Sequence, residues 1–207
     1  MSDHYYTARP EAAHDERRFT ATLRGMEFTF TTDAAVFSRD RVDFGTQLLI
    51  ETMEIAPDAV VLDLGCGYGP LGAVAARLAH RGKVYLVDVN ERAAELARRN
   101  LAENGIANAE VRVGDGLAPV QGIPFHVVLT NPPIRAGKAV LYRLVDEVHQ
   151  ALVPGGSFWM VIQKKQGAPS MKRRLEEVFG NVIDVARQAG YHIFRTVKEE
   201  EDPVRQP

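Results

Sequence analysis

The sequence predicts an α/β fold in which a doubly wound, mostly parallel sheet of seven strands is covered by helices on both faces. Short apolar runs alternate with longer Ala- and Leu-rich segments of helical periodicity from about residue 59 onward. The first of these runs leads into closely spaced glycines at positions 65, 67 and 69. The last two apolar runs have no helix between them, so we expect an antiparallel strand pair at the end of the sheet.

The elements follow from the chain order. Phe19 to Thr31 indicates a β-hairpin with a turn near Arg24-Gly25, because phenylalanines alternate there with threonines. A charged loop follows, and then a helix is predicted over 46–53. The remaining predicted strands are 59–64, 83–88, 109–113, 125–130, 156–162, 181–187 and 190–197, and the remaining helices are 70–80, 91–103, 138–152 and 168–179. We divide the chain into an N-terminal extension with the hairpin and a substrate-side loop (1–45), a core (46–198) and a frayed tail (199–207).

Size and composition limit the function. The chain has 207 residues, 45% of them hydrophobic, which fits one globular domain with a small extension. It has no apolar run of membrane-spanning length and no apolar signal core, so we expect a cytoplasmic protein without a membrane partner. A single cysteine excludes an internal disulfide. The histidines are scattered and indicate no metal site. A monomer is favoured slightly over an oligomer.

A glycine-rich turn is the main candidate for a cofactor site. The apolar run from Val60 to Leu64 indicates a buried strand that leads into this turn. Pro70, just after the turn, suits the first turn of a helix. Glycines allow the backbone to approach a ligand closely. Cys66 lies between glycines, where small size explains it better than reactivity. We therefore expect main-chain contacts to a cofactor from this turn with an acid just below it, and the predicted residues are Asp63, Gly65, Cys66, Gly67 and Gly69.

Two further acids follow the next predicted strands. Asp88 ends the second strand of the core and is placed to accept both hydroxyls of a ribose, although a helix N-cap is the alternative. Asp115 follows the third strand and is placed to accept from an adenine amine, although ordinary turn chemistry also suits it. A dinucleotide fits less well because the third glycine comes one residue early for G-x-G-x-x-G. An adenosine ligand without a diphosphate, S-adenosylmethionine, fits better.

A second motif points to the reaction. Asn131-Pro132-Pro133 follows the strand 125–130, and two prolines hold the chain stiffly there. An exocyclic amine of a purine is a poor nucleophile because its lone pair is delocalised into the ring. The side-chain oxygen of Asn131 and the carbonyl of Pro132 can each accept one N–H and so direct that lone pair. These two residues are the predicted catalytic residues.

The chain as a whole resembles the class I S-adenosylmethionine-dependent methyltransferases. It is most similar to the RsmC-type rRNA guanine-N2 methyltransferases and their single-domain relatives. The resemblance rests on the stretches 32–38, 42–45, 63–69 and 131–138 together with Asp88. It implies the class I methyltransferase fold, S-adenosylmethionine as cofactor, RNA as partner and guanine N2 as target.

The substrate side departs from the family pattern at one position. Ile134 stands where relatives carry an aromatic residue that stacks on the base. Either another aromatic stacks instead, with Phe37 as the first candidate and Tyr68 as the second, or the base is held by apolar contact alone. Pro133 and Ile134 are expected to border the substrate. Because the formal net charge is −2, phosphate contacts must be local. The predicted contacts are Arg135, Lys138, Lys164 and Lys165, with Arg39 and Arg41 beside them.

Three alternatives remain open. A methyltransferase of a protein glutamine or of a small-molecule amine would use the same Asn-Pro-Pro motif. A non-catalytic RNA-binding or assembly factor could keep the fold, although intact Asp63, Asp88 and Asn131 argue against it. A nicotinamide enzyme is disfavoured by the glycine spacing. The sequence leaves undetermined the target nucleotide, the choice between free rRNA and an assembled subunit, and the oligomeric state.

Overall fold

The computed structural model describes residues 15–34, 36 and 40–200. Phe37 and Arg39 lie outside the described residues, as does the side chain of Arg135. The described strands are β1 (Arg17–Leu23), β2 (Met26–Thr32), β3 (Val60–Leu64), β4 (Lys83–Asp88), β5 (Ala109–Val113), β6 (Phe125–Thr130), β7 (Leu152–Gln163), β8 (Ile183–Gln188) and β9 (Tyr191–Val197). The α-helices are α1 (Phe44–Thr52), α2 (Pro70–Leu78), α3 (Glu91–Glu103), α4 (Lys138–Ala151) and α5 (Ala168–Phe179).

A seven-stranded sheet with the strand order β5-β4-β3-β6-β7-β9-β8 forms the core. The pairs from β5 through β7 are parallel, and β9 is antiparallel to both β7 and β8. The predicted fold class is therefore confirmed, including its antiparallel last pair. The chain runs from β3 outward to β5 and then returns to β6 on the other side of β3. This reversal opens a crevice at the carboxyl ends of β3 and β6, which is where ligands bind in such sheets.

Two element starts, those of α1 and β7, differ from the sequence prediction for identifiable local reasons, and the other boundaries lie within two residues of it. Helix α1 begins at Phe44, two residues early, because the Asp43 side chain caps it by accepting the Thr46 N–H at 3.1 Å. Strand β7 begins at Leu152 rather than at residue 156, because Leu152 pairs with Phe125 before an irregularity in the β6–β7 register. The proposed division of the chain into three regions stays a prediction.

The N-terminal hairpin is packed against the core. Strands β1 and β2 pair through the predicted turn at Arg24-Gly25, where both residues have positive φ angles, 49° and 74°. The Phe28 and Phe30 rings are buried and stacked, with centroids 5.8 Å apart. The hairpin is also anchored to α3, because the Asn100 side chain accepts the Thr31 N–H at 2.8 Å and donates to the Thr31 carbonyl at 2.9 Å.

Helix α2 packs unusually close to the sheet at Gly72. A Cβ atom at this position would lie 2.4 Å from Cδ2 of Leu86 on β4 and 3.0 Å from Oδ2 of Asp63 on β3. The Gly72 N–H donates to that same Asp63 oxygen at 2.8 Å. The glycine therefore allows the start of α2 to reach a buried carboxylate. Along the described ranges, no helix combines the length and apolarity that crossing a membrane requires.

We expect Gly72→Ala to lower the free energy of unfolding by roughly 1–3 kcal/mol, the usual cost of overpacking a core. The loss should be smaller in a Leu86→Ala background, where the clashing atom is absent. Urea denaturation of the two single variants and the double variant measures this coupling. An equal cost in both backgrounds would show that the close approach of α2 to Leu86 is unimportant.

Candidate active site

A cavity of about 410 Å³ opens at the carboxyl ends of β3, β4 and β6. Its volume lies in the range of roughly 300–1,000 Å³ that is typical of small-molecule sites. Four carboxylates line it, from Asp43, Asp63, Asp88 and Asp115, and Arg143 contributes a basic group. The lining is therefore suited to a ligand that carries positive charge and hydroxyl groups.

The glycine turn is bonded to the end of β4. The Gly65 and Cys66 N–H groups donate to the Val87 carbonyl at 2.8 and 3.0 Å. Gly65 and Gly67 have φ angles of 76° and 56° and line the cavity with their backbone, as predicted for a ligand-facing turn. Gly69 lies behind this lining, where it precedes α2 at a φ of 94°. Its predicted cofactor contact stays a prediction.

Asp88 joins the glycine turn to the start of α3. Its Oδ2 accepts the Gly67 N–H at 2.8 Å, and its Oδ1 accepts the Asn90 N–H at 2.9 Å. The cap of α3 is Asn90, whose side chain accepts from the Arg92 and Ala93 N–H groups. Asp88 is therefore free of the capping role that was its alternative. Each of its carboxylate oxygens retains capacity to accept a hydroxyl group.

Asp63 is a buried acid under the cavity, with 1% of its surface exposed. Burial raises the pKa of its carboxyl to about 7, although the Gly72 N–H bond acts in the opposite direction. The carboxylate form therefore has little compensation in the ligand-free protein near neutral pH. A cationic group placed above it would favour ionisation.

Cys66 has the features of a packing residue. It is buried, and burial raises the pKa of its thiol, an effect that the neighbouring Asp88 and Asp63 strengthen. A thiol with a raised pKa is a poor nucleophile near neutral pH. The interpretation of Cys66 as a small residue in a tight turn is consistent with this environment.

Asp115 lies at the cavity mouth, where α4 holds it. Its Oδ1 is 2.9 Å from Nη2 of Arg143, and Nη1 of Arg143 is 3.0 Å from Oε1 of Glu147. Glu147 in turn accepts the Leu117 N–H at 3.1 Å, which ties the loop after β5 to the helix. Arg143 and Glu147 were missed because charged residues on a helix indicate a solvated face.

The Asn131 side chain is held in one orientation by α1. Its Nδ2 lies 2.9 Å from Oγ1 of Thr46, and 3.2 and 3.4 Å from the two carboxylate oxygens of Asp43. A carboxylate only accepts hydrogen bonds, so the amide nitrogen must face α1. The amide oxygen is therefore left to accept from a ligand in the cavity. Thr130 secures this end of β6 by donating to the Leu64 carbonyl at 2.8 Å.

The other predicted substrate residues are divided between the cavity and its surroundings. Pro132, Pro133 and Ile134 line the cavity. Lys138 begins α4, is exposed and lies with its Nζ 5.0 Å from the centroid of the Tyr142 ring. The remaining two lysines, Lys164 and Lys165, are exposed in a short turn after β7, outside the cavity lining.

Tyr68 does not offer a stacking surface. It is 3% exposed, and its ring packs edge-on against Phe19 and Phe30 of the hairpin at centroid distances of 6.1 and 5.6 Å. Tyr68 also lines the cavity, but the enclosure of its ring by the hairpin argues against the expectation that it stacks on a substrate. The other candidate, Phe37, lies outside the described residues and stays a prediction.

A different aromatic pair lies beside the cavity. Phe44, the first residue of α1, is 40% exposed, and its ring centroid is 5.5 Å from that of Tyr191 on β9. Tyr191 lines the cavity together with Asn131. Sequence reasoning missed this pair because the two rings come from opposite ends of the chain and meet only through the β7–β9 pairing.

Comparison with known proteins identifies the family. Residues 27–195 match the family model named methyltransferase small domain. The chain belongs to this family. It is 42% identical to the uncharacterized protein YbxB of Bacillus subtilis, over 96% of this chain and 100% of that protein. It is 32% identical to ribosomal RNA small subunit methyltransferase C of Stutzerimonas stutzeri, over 88% of this chain and 54% of that protein.

A solved structure agrees with the family assignment. The Thermus thermophilus 16S rRNA N2 guanine methyltransferase RsmC, in complex with AdoMet and guanosine, is 29% identical and superposes with a TM-score of 0.80. The match covers 92% of this chain and 52% of that chain. Our chain thus spans about half the length of the named rRNA methyltransferases that it matches. The predictions of a class I methyltransferase and of S-adenosylmethionine as its cofactor are confirmed at the level of the family.

The raised pKa of Asp63 predicts a pH-dependent stability. Protonated Asp63 is favoured by folding, so its contribution is complete below about pH 4 and is lost as the pH rises through about 7. We expect the free energy of unfolding of the ligand-free protein to decrease over this interval. Asp63→Asn should remove a part of the decrease that amounts to at most roughly 4 kcal/mol.

Denaturant titrations of the wild type and Asp63→Asn at a series of pH values measure this effect. Asp58→Asn, which removes an exposed acid outside the cavity, controls for the loss of one negative charge. Parallel pH profiles for the wild type and Asp63→Asn would contradict the assignment of the raised pKa to Asp63.

Proposed function

We propose that this protein is an S-adenosylmethionine-dependent N-methyltransferase that acts on ribosomal RNA, with the exocyclic N2 amine of a guanine as its target. The observation that carries the proposal is the fixed orientation of Asn131, whose amide nitrogen is bound by α1. Its amide oxygen thereby remains available at the cavity that contains Asp63 and Asp88. A cytoplasmic location, as expected from the sequence, fits this substrate.

The residues of the cavity fit S-adenosylmethionine. Asp88 would accept the two ribose hydroxyls with the capacity left on its two oxygens. Asp63, whose raised pKa reflects an uncompensated buried carboxylate, would face the cationic part of the cofactor. Asp115 at the mouth would accept from the adenine amine with the oxygen that Arg143 leaves free. When bound, the cofactor supplies an electrophilic methyl group and leaves as a neutral thioether.

The residues of the Asn-Pro-Pro motif would act on the amine. The Asn131 Oδ1 and the Pro132 carbonyl would each accept one N–H, which turns the nitrogen lone pair toward the methyl group. The lone pair would then be directed to form the new N–C bond with the methyl group that the cofactor supplies. Both oxygens stabilise the positive charge that appears on the nitrogen. The extra proton then passes to water, so no strong base is required.

The target base has an aromatic surface available. The exposed face of Phe44 and the cavity-lining Tyr191 could carry a purine, since stacking on aromatic rings is worth roughly 1–3 kcal/mol per base. This pair would replace the aromatic residue that is absent at Ile134. The similarity to RsmC, whose structure contains guanosine, supports guanine as the base.

The first test of the proposal is product identity. The wild type with labelled S-adenosylmethionine and rRNA should yield N2-methylguanosine after digestion to nucleosides. Asn131→Ala should lower turnover by about 10²–10³, the usual cost of losing one preorganised transition-state contact. The affinity for the cofactor, measured by calorimetry, should hardly change.

The matched control is Asn181→Ala, which removes an asparagine that bonds Val197 at the far edge of the sheet. Wild-type turnover by Asn131→Ala would contradict the mechanism. Label that resists ribonuclease and remains with protein would instead favour a glutamine substrate.

We expect the affinity for RNA to depend on salt concentration because Lys164 and Lys165 are exposed near the cavity. Each contact of a lysine with single-stranded phosphate contributes a slope of about −0.7 to the logarithmic salt dependence. Lys164→Gln and Lys165→Gln should each reduce the magnitude of the slope by about this amount, if each lysine contacts one phosphate. Filter binding at a series of salt concentrations measures the slopes. Lys83→Gln, at the opposite end of β4, is the control, and equal slopes for all variants would exclude this RNA surface.

A further inference from the structure

Asp43 forms contacts that serve two parts of the molecule. Its Oδ1 accepts the Thr46 N–H at 3.1 Å and so caps α1. The same oxygen lies 3.2 Å from Nδ2 of Asn131, and Oδ2 lies 3.4 Å from that nitrogen. One carboxylate therefore links the first turn of α1 to the predicted catalytic amide at the end of β6.

The surrounding structure holds this carboxylate in place. The Gln47 side chain donates to the Val42 carbonyl at 2.6 Å, and the Gln47 N–H donates to the Asp43 carbonyl at 3.0 Å. Thr46, which is 5% exposed, contributes its hydroxyl oxygen as a second acceptor for Asn131 at 2.9 Å. Both acceptors for the Asn131 amide nitrogen thus come from a single helical turn with little freedom to rearrange.

The choice of a carboxylate goes beyond what capping requires. Serine, threonine or asparagine would cap α1 about equally well. An ionised acceptor makes a stronger hydrogen bond than a neutral one. The negative charge also polarises the N–H groups of the Asn131 amide and raises the electron density on its Oδ1, because hydrogen bonds in a chain polarise one another. Asn131 would consequently become a better acceptor as positive charge appears on the substrate nitrogen.

We propose that Asp43 is a positioning residue for methyl transfer, which fixes the Asn131 amide and strengthens its oxygen as an acceptor. The proposal rests on the proposed function, because it concerns the same amine-binding amide. Asp43 lines the cavity, but the role assigned to it here is exerted through Asn131. Its negative charge acts through Asn131 on the charge that develops in the transition state.

The first experiment tests the contact without any substrate. The side-chain amide signals of Asn131 are assigned in nitrogen-15 NMR spectra by their absence from Asn131→Ala. Asp43→Ser keeps a good cap but shortens the side chain away from Asn131, so exchange of the two amide protons with water should accelerate roughly 3–10-fold. Unchanged exchange and unchanged shifts in Asp43→Ser would overturn the proposal.

The second experiment tests the electrostatic role. Asp43→Asn keeps the cap and the size of the side chain while removing the charge, so the melting temperature should be unchanged. We expect kcat to fall about 10-fold, with KM for RNA and the affinity for S-adenosylmethionine retained. In an Asn131→Ala background the same change should have no further effect on kcat, because Asp43 acts through Asn131. Asp58→Asn is the charge-matched control.

The outcomes separate the two proposals. An equal loss of kcat from Asp43→Asn with and without Asn131 would overturn the role assigned to Asp43 and leave the proposed function intact. A wild-type protein that methylates no RNA would overturn the proposed function. In that case the NMR experiment still decides whether Asp43 holds the Asn131 amide.

Discussion

The hydrogen bond between the Gly72 N–H and the buried Asp63 carboxylate organises the site. It brings the first turn of α2 against β3 and β4, at a distance that only a glycine allows beside Leu86. The glycine turn lies between β3 and α2, and its Gly65 and Cys66 N–H groups donate to the Val87 carbonyl at the end of β4. A buried acid with a raised pKa is the energetic cost of this arrangement. A cationic ligand above Asp63 would offset that cost, so the fold is suited to such a ligand.

Negative and positive side chains lie in different places at this edge of the sheet. The carboxylates face the cavity, whereas the described lysines at this edge, Lys138, Lys164 and Lys165, lie outside its lining. A formal net charge of −2 is therefore compatible with both partners of the proposed reaction. Acids would meet a cationic cofactor inside, and cations would meet a polyanion outside. Average charge describes neither surface, because each partner responds to the local field.

Much of the fold could be predicted from the sequence because hydrophobic periodicity marks each strand and helix of the core. Residues at strand ends, such as Asp88 and Asn131, could also be predicted, since parallel strands bring their carboxyl ends to one edge. The prediction of an element boundary was wrong where a tertiary contact determines that boundary. Strand β7, for example, begins where Leu152 pairs with Phe125. The hydrophobic pattern of a strand indicates which residues are buried, but it does not indicate where hydrogen bonding to the neighbouring strand begins.

The residues that escaped prediction share one property. Asp43, Thr46, Arg143 and Tyr191 each reach the site from outside the glycine turn and the Asn-Pro-Pro motif. Asp43 caps a helix whose start was placed two residues late, so the cap fell within the predicted loop. Tyr191 comes to the cavity only because β9 pairs with β7. Such proximity depends on the whole topology, and no local pattern contains it.

The position of Asn100 gives the N-terminal hairpin a further consequence. Its side-chain nitrogen donates both to the Thr31 carbonyl of the hairpin and to the Tyr68 carbonyl of the glycine turn, at 2.9 and 2.8 Å. The hairpin and the glycine turn are thereby joined through Asn100, and the Tyr68 ring of the turn packs against Phe19 and Phe30 of the hairpin. A turn that is already rigid loses little conformational entropy when a ligand arrives. The hairpin strands, residues 17–32, would thus support ligand affinity although they lie outside the cavity lining.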